Sequence, residues 1–322
     1  IRRQRQMCIR DRAIITHDQF GRKALAKAAA GVVSNERERN AFLLGNQGPD
    51  PLFYCVANPT TAKYHKLGNL MHHADPSALL FSLAQSLVYL PEAAHPLAKA
   101  YIAGFLCHYL LDRAEHPLVY AQQYALCDAG IDGLSDKDGS EVHAIIESDL
   151  DEMVLWTCEG KTVASFNPHK EILKADRQTL AIISYLVSMA VHDAYGKEVN
   201  PDLFTKSVLG FRRIQHVFHS PRGIKRTALG NIERKFRKHS FVQAMSHRAV
   251  ELTASEFDNH QRAAWINPFT KTVSTASFQD LFNQALEQAT EYIPQIVSGN
   301  FTIEQARELT QGLNFSGEQV ER

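Results

Sequence analysis

Residues 101–120 read YIAGFLCHYLLDRAEHPLVY, and within them His108, Asp112 and His116 fall at i, i+4 and i+8. At about 100° per residue the three positions span roughly 80° of a helical surface, so all of them look into one cavity. Phe105, Leu106, Tyr109, Leu110 and Leu111 flank them, which marks the helix as buried. Ionisable side chains on a buried helix need partners, because an unpaired buried charge costs several kcal/mol. A divalent cation satisfies all three at once.

A second stretch, residues 141–151, reads EVHAIIESDLD and places His143 and Glu147 four apart on one helical face. Imidazole nitrogen and carboxylate oxygen, with no thiolate, suit a zinc ion kept open for water and substrate. Alone, a His-x-x-x-Glu pair is more often a surface hydrogen-bonded pair. Following His108-x-x-x-Asp112-x-x-x-His116, it reads as the facing half of a metal cluster.

The rest of the composition narrows the class. The chain has 322 residues, 44% of them apolar, which is enough for a substantial core. With 35 basic and 35 acidic residues the formal charge is zero, so no whole-protein field favours nucleic acid or an anionic membrane, and no stable nucleic-acid partner is expected. Histidine is the residue that departs from background, at 15 copies. Five cysteines (Cys8, Cys55, Cys107, Cys127, Cys158) are scattered and never form C-x-x-C, against a disulfide framework or a thiolate zinc site. No apolar run approaches the ~20 residues of a membrane span, and the N-terminus has no secretory apolar region. A soluble, cytoplasmic protein without a transmembrane segment is expected. Residues 1–12 (IRRQRQMCIRDR) are arginine-rich and match nothing after them, and are expected to be disordered or foreign to the native chain.

Helical periodicity dominates the remainder, so residues 13–322 are expected to form a single all-α domain. Helices are expected near 18–33, 36–45, 61–73, 76–90, 94–114, 139–157, 169–195, 201–218, 239–262, 277–296 and 302–312. Ser140 is a candidate cap for the helix of His143. The one basic stretch, 212–240, includes Arg212, Arg213, Arg222, Lys225, Arg226, Arg234, Lys235, Arg237 and Lys238. It reads as a solvated face, with a phosphate-facing or lipid-facing patch as the sharper alternative.

Further candidate residues lie upstream. Gly48-Pro49-Asp50 sets a carboxylate on a rigid turn after the apolar helix end Phe42-Leu43-Leu44-Gly45. His72 and His73 follow in KLGNLMHHADPS, and His17 lies in AIITHDQFG. Each alone would be a structural or surface residue.

Together these residues resemble a known family. His17, the run Gln47-Gly48-Pro49-Asp50-Pro51-Leu52-Phe53-Tyr54, Leu67-Gly68-Asn69-Leu70-Met71-His72, His108-x-x-x-Asp112-x-x-x-His116-Pro117 and His143-x-x-x-Glu147 are similar to the bacterial zinc-dependent phospholipase C family, of the same superfamily as the S1/P1 nucleases. The specific motifs cover 13–157. Asp258-Asn259-His260, Trp265-Ile266-Asn267-Pro268 and Ser277-Phe278-Gln279-Asp280-Leu281-Phe282 resemble the helical ending of cytoplasmic-type members.

The resemblance implies a multi-helix phospholipase C/P1 nuclease-like bundle holding two to three zinc ions (Zn2+). Asp50, His72, His108 and Asp112 would hold one ion, and His116, His143 and Glu147 a second. Asp112 would bridge to a third shared with His17. His72 is preferred to His73 because the family ligand lies four residues after the glycine, here Gly68. Asp50 is also the candidate catalytic residue, orienting or deprotonating the attacking water. In secreted members the mature N-terminal amine completes the third site, whereas His17 here lies inside the chain.

The implied function is hydrolysis of a phosphodiester by metal-activated water, with a phosphate-ester substrate, a phospholipid among the candidates. S1/P1-type nuclease or nucleotidase activity is the alternative within hydrolases, and a metal-binding protein with little turnover is the alternative outside them. His17-Asp18 and His192-Asp193 are HD dipeptides, but the other ligands of an HD-type phosphohydrolase are not spaced around His192.

Overall fold

A helix of 34 residues, His95–Asp128, forms the axis of the molecule and carries His108, Asp112 and His116. The structure is a computed structural model that describes residues 13–130, 134–224, 227 and 246–320. Residues 1–12, and most of the basic stretch beyond Arg222, lie outside the described residues. The described chain is mostly helical. In order the helices are α1 (Ile14–Lys27), α2 (Glu36–Gly45), α3 (Leu67–His73), α4 (Pro76–Gln85), α5 (His95–Asp128), α6 (Gly139–Glu159), α7 (Pro168–Glu171), α8 (Arg177–Tyr195), α9 (Leu203–Phe218), α10 (Phe278–Ile296) and α11 (Ile303–Thr310). The only strands among the described residues are β1 (Trp265–Ile266) and β2 (Val273–Ser274), an antiparallel pair with Trp265 opposite Ser274.

Helix α5 is buried along most of its length and packs against α1, α2, α6 and α10. It runs past the expected end at 114 because Pro117 is accommodated. Proline removes one backbone donor and frees the carbonyl four residues earlier, that of Arg113. Gly317 covers this notch: a Cβ there would lie 2.8 Å from Pro117 Cγ and 3.0 Å from the Arg113 carbonyl oxygen. The C-terminal segment is tied down beside it, with Arg113 donating to the Leu309 carbonyl at 2.7 Å and Tyr109 Oη donating to the Leu313 carbonyl at 2.7 Å.

Two glycines bring α2 against α5. A methyl group on Gly45 would lie 2.2 Å from the Tyr101 carbonyl oxygen, and one on Gly104 would lie 2.0 Å from that of Phe42. The backbones therefore approach at a distance that no side chain permits. This contact delivers the turn after α2, with Asn46 and Asp50, to the face of α5 that carries His108.

Several expected helices change shape. The stretch 61–73 divides into a 3-10 turn at Ala62–Tyr64 and α3, and 169–195 divides into α7 and α8, with Asp176 accepting from the Thr179 amide at 2.7 Å. The expected helix at 239–262 is corrected: 239–245 lie outside the described residues, and 246–262 form bends and turns. Side chains there bond their own backbone, Asp258 accepting from the Ser255 amide at 3.0 Å and from the His260 amide at 2.9 Å. Such local acceptors compete with a helix. Ser140 does not cap α6 from outside, since it lies within the helix; Ser135 and Asp138 instead form a capping box on the 3-10 turn just before it.

Candidate metal centre

Five elements converge on one buried volume. Helix α1 brings His17, the 3-10 turn Asp50–Ala57 brings Asp50 at its first residue, and α3 brings His72. Helix α5 brings His108, Asp112 and His116, and α6 brings His143 and Glu147. All eight are at most 5% exposed.

Their donor atoms form three groups, each with ligand atoms within 4.8 Å of one another: Asp50 with His72 and His108, His17 with His108 and Asp112, and His116 with His143 and Glu147. His72 Nε2 lies 3.2 Å from Asp50 Oδ1, and His108 Nε2 lies 3.8 Å from the same oxygen and 3.2 Å from Asp112 Oδ2. His17 Nε2 is 3.0 Å from Asp112 Oδ1. Glu147 Oε1 is 3.1 Å from His143 Nε2 and 3.5 Å from His116 Nε2. His108 thus stands between the first two groups, with Asp112 in the second. His73 is exposed, its Nδ1 donating to the Asn69 carbonyl, and His192 is exposed on α8.

The tautomers are fixed by the other ring nitrogen. Nδ1 of His72 meets the Gly68 carbonyl at 2.7 Å, that of His108 the Asn46 carbonyl at 3.2 Å, and that of His116 the Phe315 carbonyl at 2.8 Å. Nδ1 of His143 meets Gln123 Oε1 at 2.8 Å. A carbonyl oxygen only accepts, so each Nδ1 donates and each ring turns its Nε2 toward a carboxylate. Two acceptors facing each other repel unless a proton or a cation stands between them. Orientation through the distal nitrogen is the usual arrangement around metal-ligating histidine. His108 Nε2 and Asp112 Oδ2, though close, are both buried without hydrogen-bond geometry to any partner, as atoms aimed at a common point would be.

Burial would raise Asp112, yet His108, His116 and His17 hold its carboxyl well below the usual carboxylate range. For His17 burial works downward, and Asp112 overrides it to leave the imidazole above its ordinary value. Close-packed parts fix these positions: Gly48, at φ +47°, lets the turn pass over the His108 ring, where a Cβ would lie 2.1 Å from Cδ2.

Asp151 anchors the start of α1. Fully buried, it accepts from the backbone amides of Ile15 at 3.1 Å and Thr16 at 2.7 Å, and from His247 Nε2 at 2.9 Å. A carboxylate at a helix N-terminus satisfies donors that the helix leaves open. Arg212 is committed elsewhere in the fold, donating to the carbonyls of Leu173 and Ala175.

The chain matches no family model, no curated protein and no solved structure.

Gln123, Phe315, Asp151 and Glu115 also shape the site and were not among the residues expected from sequence. Gln123 lies seven residues after His116 on the same face of α5, so extending the helix through Pro117 would have found it. Phe315 acts through its backbone carbonyl, which every residue possesses, and its ring packs 5.1 Å from that of His72 and 5.8 Å from that of His108.

Proposed function

We propose that the chain is a zinc-dependent phosphodiesterase of the phospholipase C and P1 nuclease kind, using two to three ions. The observation that carries this reading is the convergence of five imidazoles and three carboxylates on one buried volume, with His108 shared by two of the three groups. Nitrogen and oxygen donors without thiolate suit zinc. Adjacent ions in such a cluster polarise phosphoryl oxygens and lower the pKa of water toward about 7.

The chain's own residues do the rest. Asp112 and Glu147 supply the anionic oxygens, and the four histidines with hydrogen-bonded Nδ1 keep their Nε2 atoms aimed. Asp50, fixed by Pro49 and by the turn over His108, accepts the proton of the attacking water or orients it. A groove of about 440 Å³ lined by Lys63, Tyr64, Lys66, Leu67, Leu70 and Lys197 borders the helix of His72. Glu198 and Val199 complete its wall, so leucine, valine and tyrosine side chains lie beside three lysines and one carboxylate, a lining that suits an amphiphile with a charged head and supports the phospholipid form of the reading.

A nuclease or nucleotidase reading is favoured by a different observation. Tyr120 lies 4.9 Å from the His143 ring, 5.4 Å from Phe269 and 5.8 Å from Tyr124, and all three aromatics are partly exposed. Aromatic faces beside a phosphate-cleaving centre stack nucleobases. Parallel assays on phosphatidylcholine, bis-nitrophenyl phosphate and single-stranded DNA separate the readings. Cleavage of the first two alone supports a lipase, and preference for DNA supports a nuclease. Zinc-loaded protein inactive on all three, or activity surviving in His116→Ala and Glu147→Ala, would overturn a phosphodiesterase altogether.

A further inference from the structure

The hairpin of β1 and β2 presents an apolar face to solvent. In its ladder Trp265 pairs with Ser274 and Ile266 with Val273. Successive strand residues face opposite ways, so the ribbon has two unlike faces. Trp265 is half-buried, its indole Nε1 donating to the Ala276 carbonyl at 3.0 Å, and β1 packs on α5. Ile266 and Val273 stand side by side on the other face, 60% and 69% exposed. A lone exposed aliphatic needs no explanation, but two β-branched side chains paired across strands form a continuous apolar knob.

Hydrogen bonds hold the knob in place. The Asn267 amide donates to the Thr272 carbonyl at 2.8 Å, its carbonyl accepts from the Lys271 amide at 2.9 Å, and its side chain accepts from the amides of Phe269 at 2.9 Å and Thr270 at 3.1 Å. At the base, Asn259 Nδ2 donates to the carbonyls of Ala263 at 3.0 Å and Ala276 at 3.1 Å. The tip adjoins the candidate metal centre: the Phe269 ring lies 5.4 Å from that of Tyr120, which lies 4.9 Å from that of His143.

Charge identifies the occupant. Residues 259–279 contain His260, Arg262 and Lys271 and no carboxylate. His260 bonds Asp258 and Arg262 reaches Asp280, whereas Lys271 stands exposed at the tip, its Nζ donating to the Pro268 carbonyl at 2.7 Å. Aliphatic side chains, an aromatic ring and a cation on one tip, with no acidic residue among them, match an anionic lipid interface, where apolar groups enter the acyl boundary and cations meet phosphates. We propose that hairpin 265–274 seats the chain on an anionic lipid surface, with Ile266 and Val273 in the acyl boundary and Lys271 among the headgroup phosphates. As a route for substrate this rests on the phospholipid reading above; as a binding surface it does not need the cluster to be catalytic.

The test sediments the full chain, refilled with zinc, with vesicles, and scores lipid cleavage separately in the supernatant. The native chain is expected to pellet with vesicles containing phosphatidylglycerol and more weakly with pure phosphatidylcholine. Ile266→Ser combined with Val273→Ser is expected to bind at least about tenfold more weakly, for the loss of two aliphatic side chains from an apolar environment. Lys271→Glu is expected to weaken binding to the phosphatidylglycerol vesicles alone. Val88→Ser, at a 75% exposed aliphatic on the 3-10 turn Ser86–Tyr89, is expected to bind as the native chain does. A native chain that stays in solution, a double variant that binds as well as the native chain, or an equal loss in Val88→Ser would each overturn the proposal. So would a native dimer that the double variant converts to a monomer, which would assign the face to a second copy of this chain. A chain that pellets through the hairpin but releases nothing from either lipid keeps the surface and sinks the phospholipid reading instead.

Discussion

Replacing Gly48 with alanine should damage the centre through two separate effects of known size. At φ +47° a non-glycine residue costs about 1–2 kcal/mol. The added methyl would lie 2.1 Å from His108 Cδ2, where ordinary contact begins at 3.4 Å, so the ring or the turn must yield by more than 1 Å. Overpacking of this kind costs about 1–3 kcal/mol, giving about 2–5 kcal/mol in all. Metal ligation tolerates only about 0.2 Å of error, so Gly48→Ala should also lose at least one zinc. The assay is urea unfolding of the metal-free chain with elemental analysis of the refilled one. Gly160→Ala is the control, since φ there is +60° with nothing within 4 Å of the added methyl; it should cost only the backbone penalty of about 1–2 kcal/mol and keep every ion. A Gly48→Ala chain as stable and as metal-rich as that control would refute the argument.

Two other substitutions test the scaffold. Asp151→Ala strips the acceptor from the Ile15 and Thr16 amides and from His247, and should cost about 2–4 kcal/mol by urea unfolding; an unchanged midpoint would show that these donors find other partners. Asp18, whose carboxyl burial pushes up to about 6 from 3.8 despite Arg22, holds its proton longer when folded than when unfolded. Its contribution is therefore fully present below the unfolded value and lost as pH rises toward the folded one, by at most about 3 kcal/mol. The metal-free native chain should accordingly lose stability relative to metal-free Asp18→Asn as pH rises from about 4 to 6, and a difference independent of pH across that window would contradict it.

How much of this was legible in the sequence depends on the kind of contact. Helical character and the shared face of His108, Asp112 and His116 follow from spacing, because side-chain direction repeats with the helix. Asp50 could be marked as a carboxylate on a rigid turn, but nothing local says that Gly45 and Gly104 let two backbones touch and so bring that turn to His108. The local pattern ends this helix near 114, but α5 continues through Pro117, where packing by Gly317 and the tie from Arg113 to Leu309 override a local helix breaker. The stretch 246–262 went the other way, its helical pattern yielding to side chains that bond their own backbone. The acceptors that orient the rings at Asn46, Gly68 and Phe315 are backbone carbonyls, and their position is a property of the fold alone.

The central claim is that these imidazoles and carboxylates gather around divalent cations. Crystals of the zinc-refilled chain, measured on both sides of the zinc absorption edge, address it directly. The account predicts anomalous peaks between Asp50, His72 and His108, beside His17 and Asp112, and between His116, His143 and Glu147. A map with no peak at any of these positions, with the Nε2 atoms protonated and paired to the carboxylates alone, would contradict it.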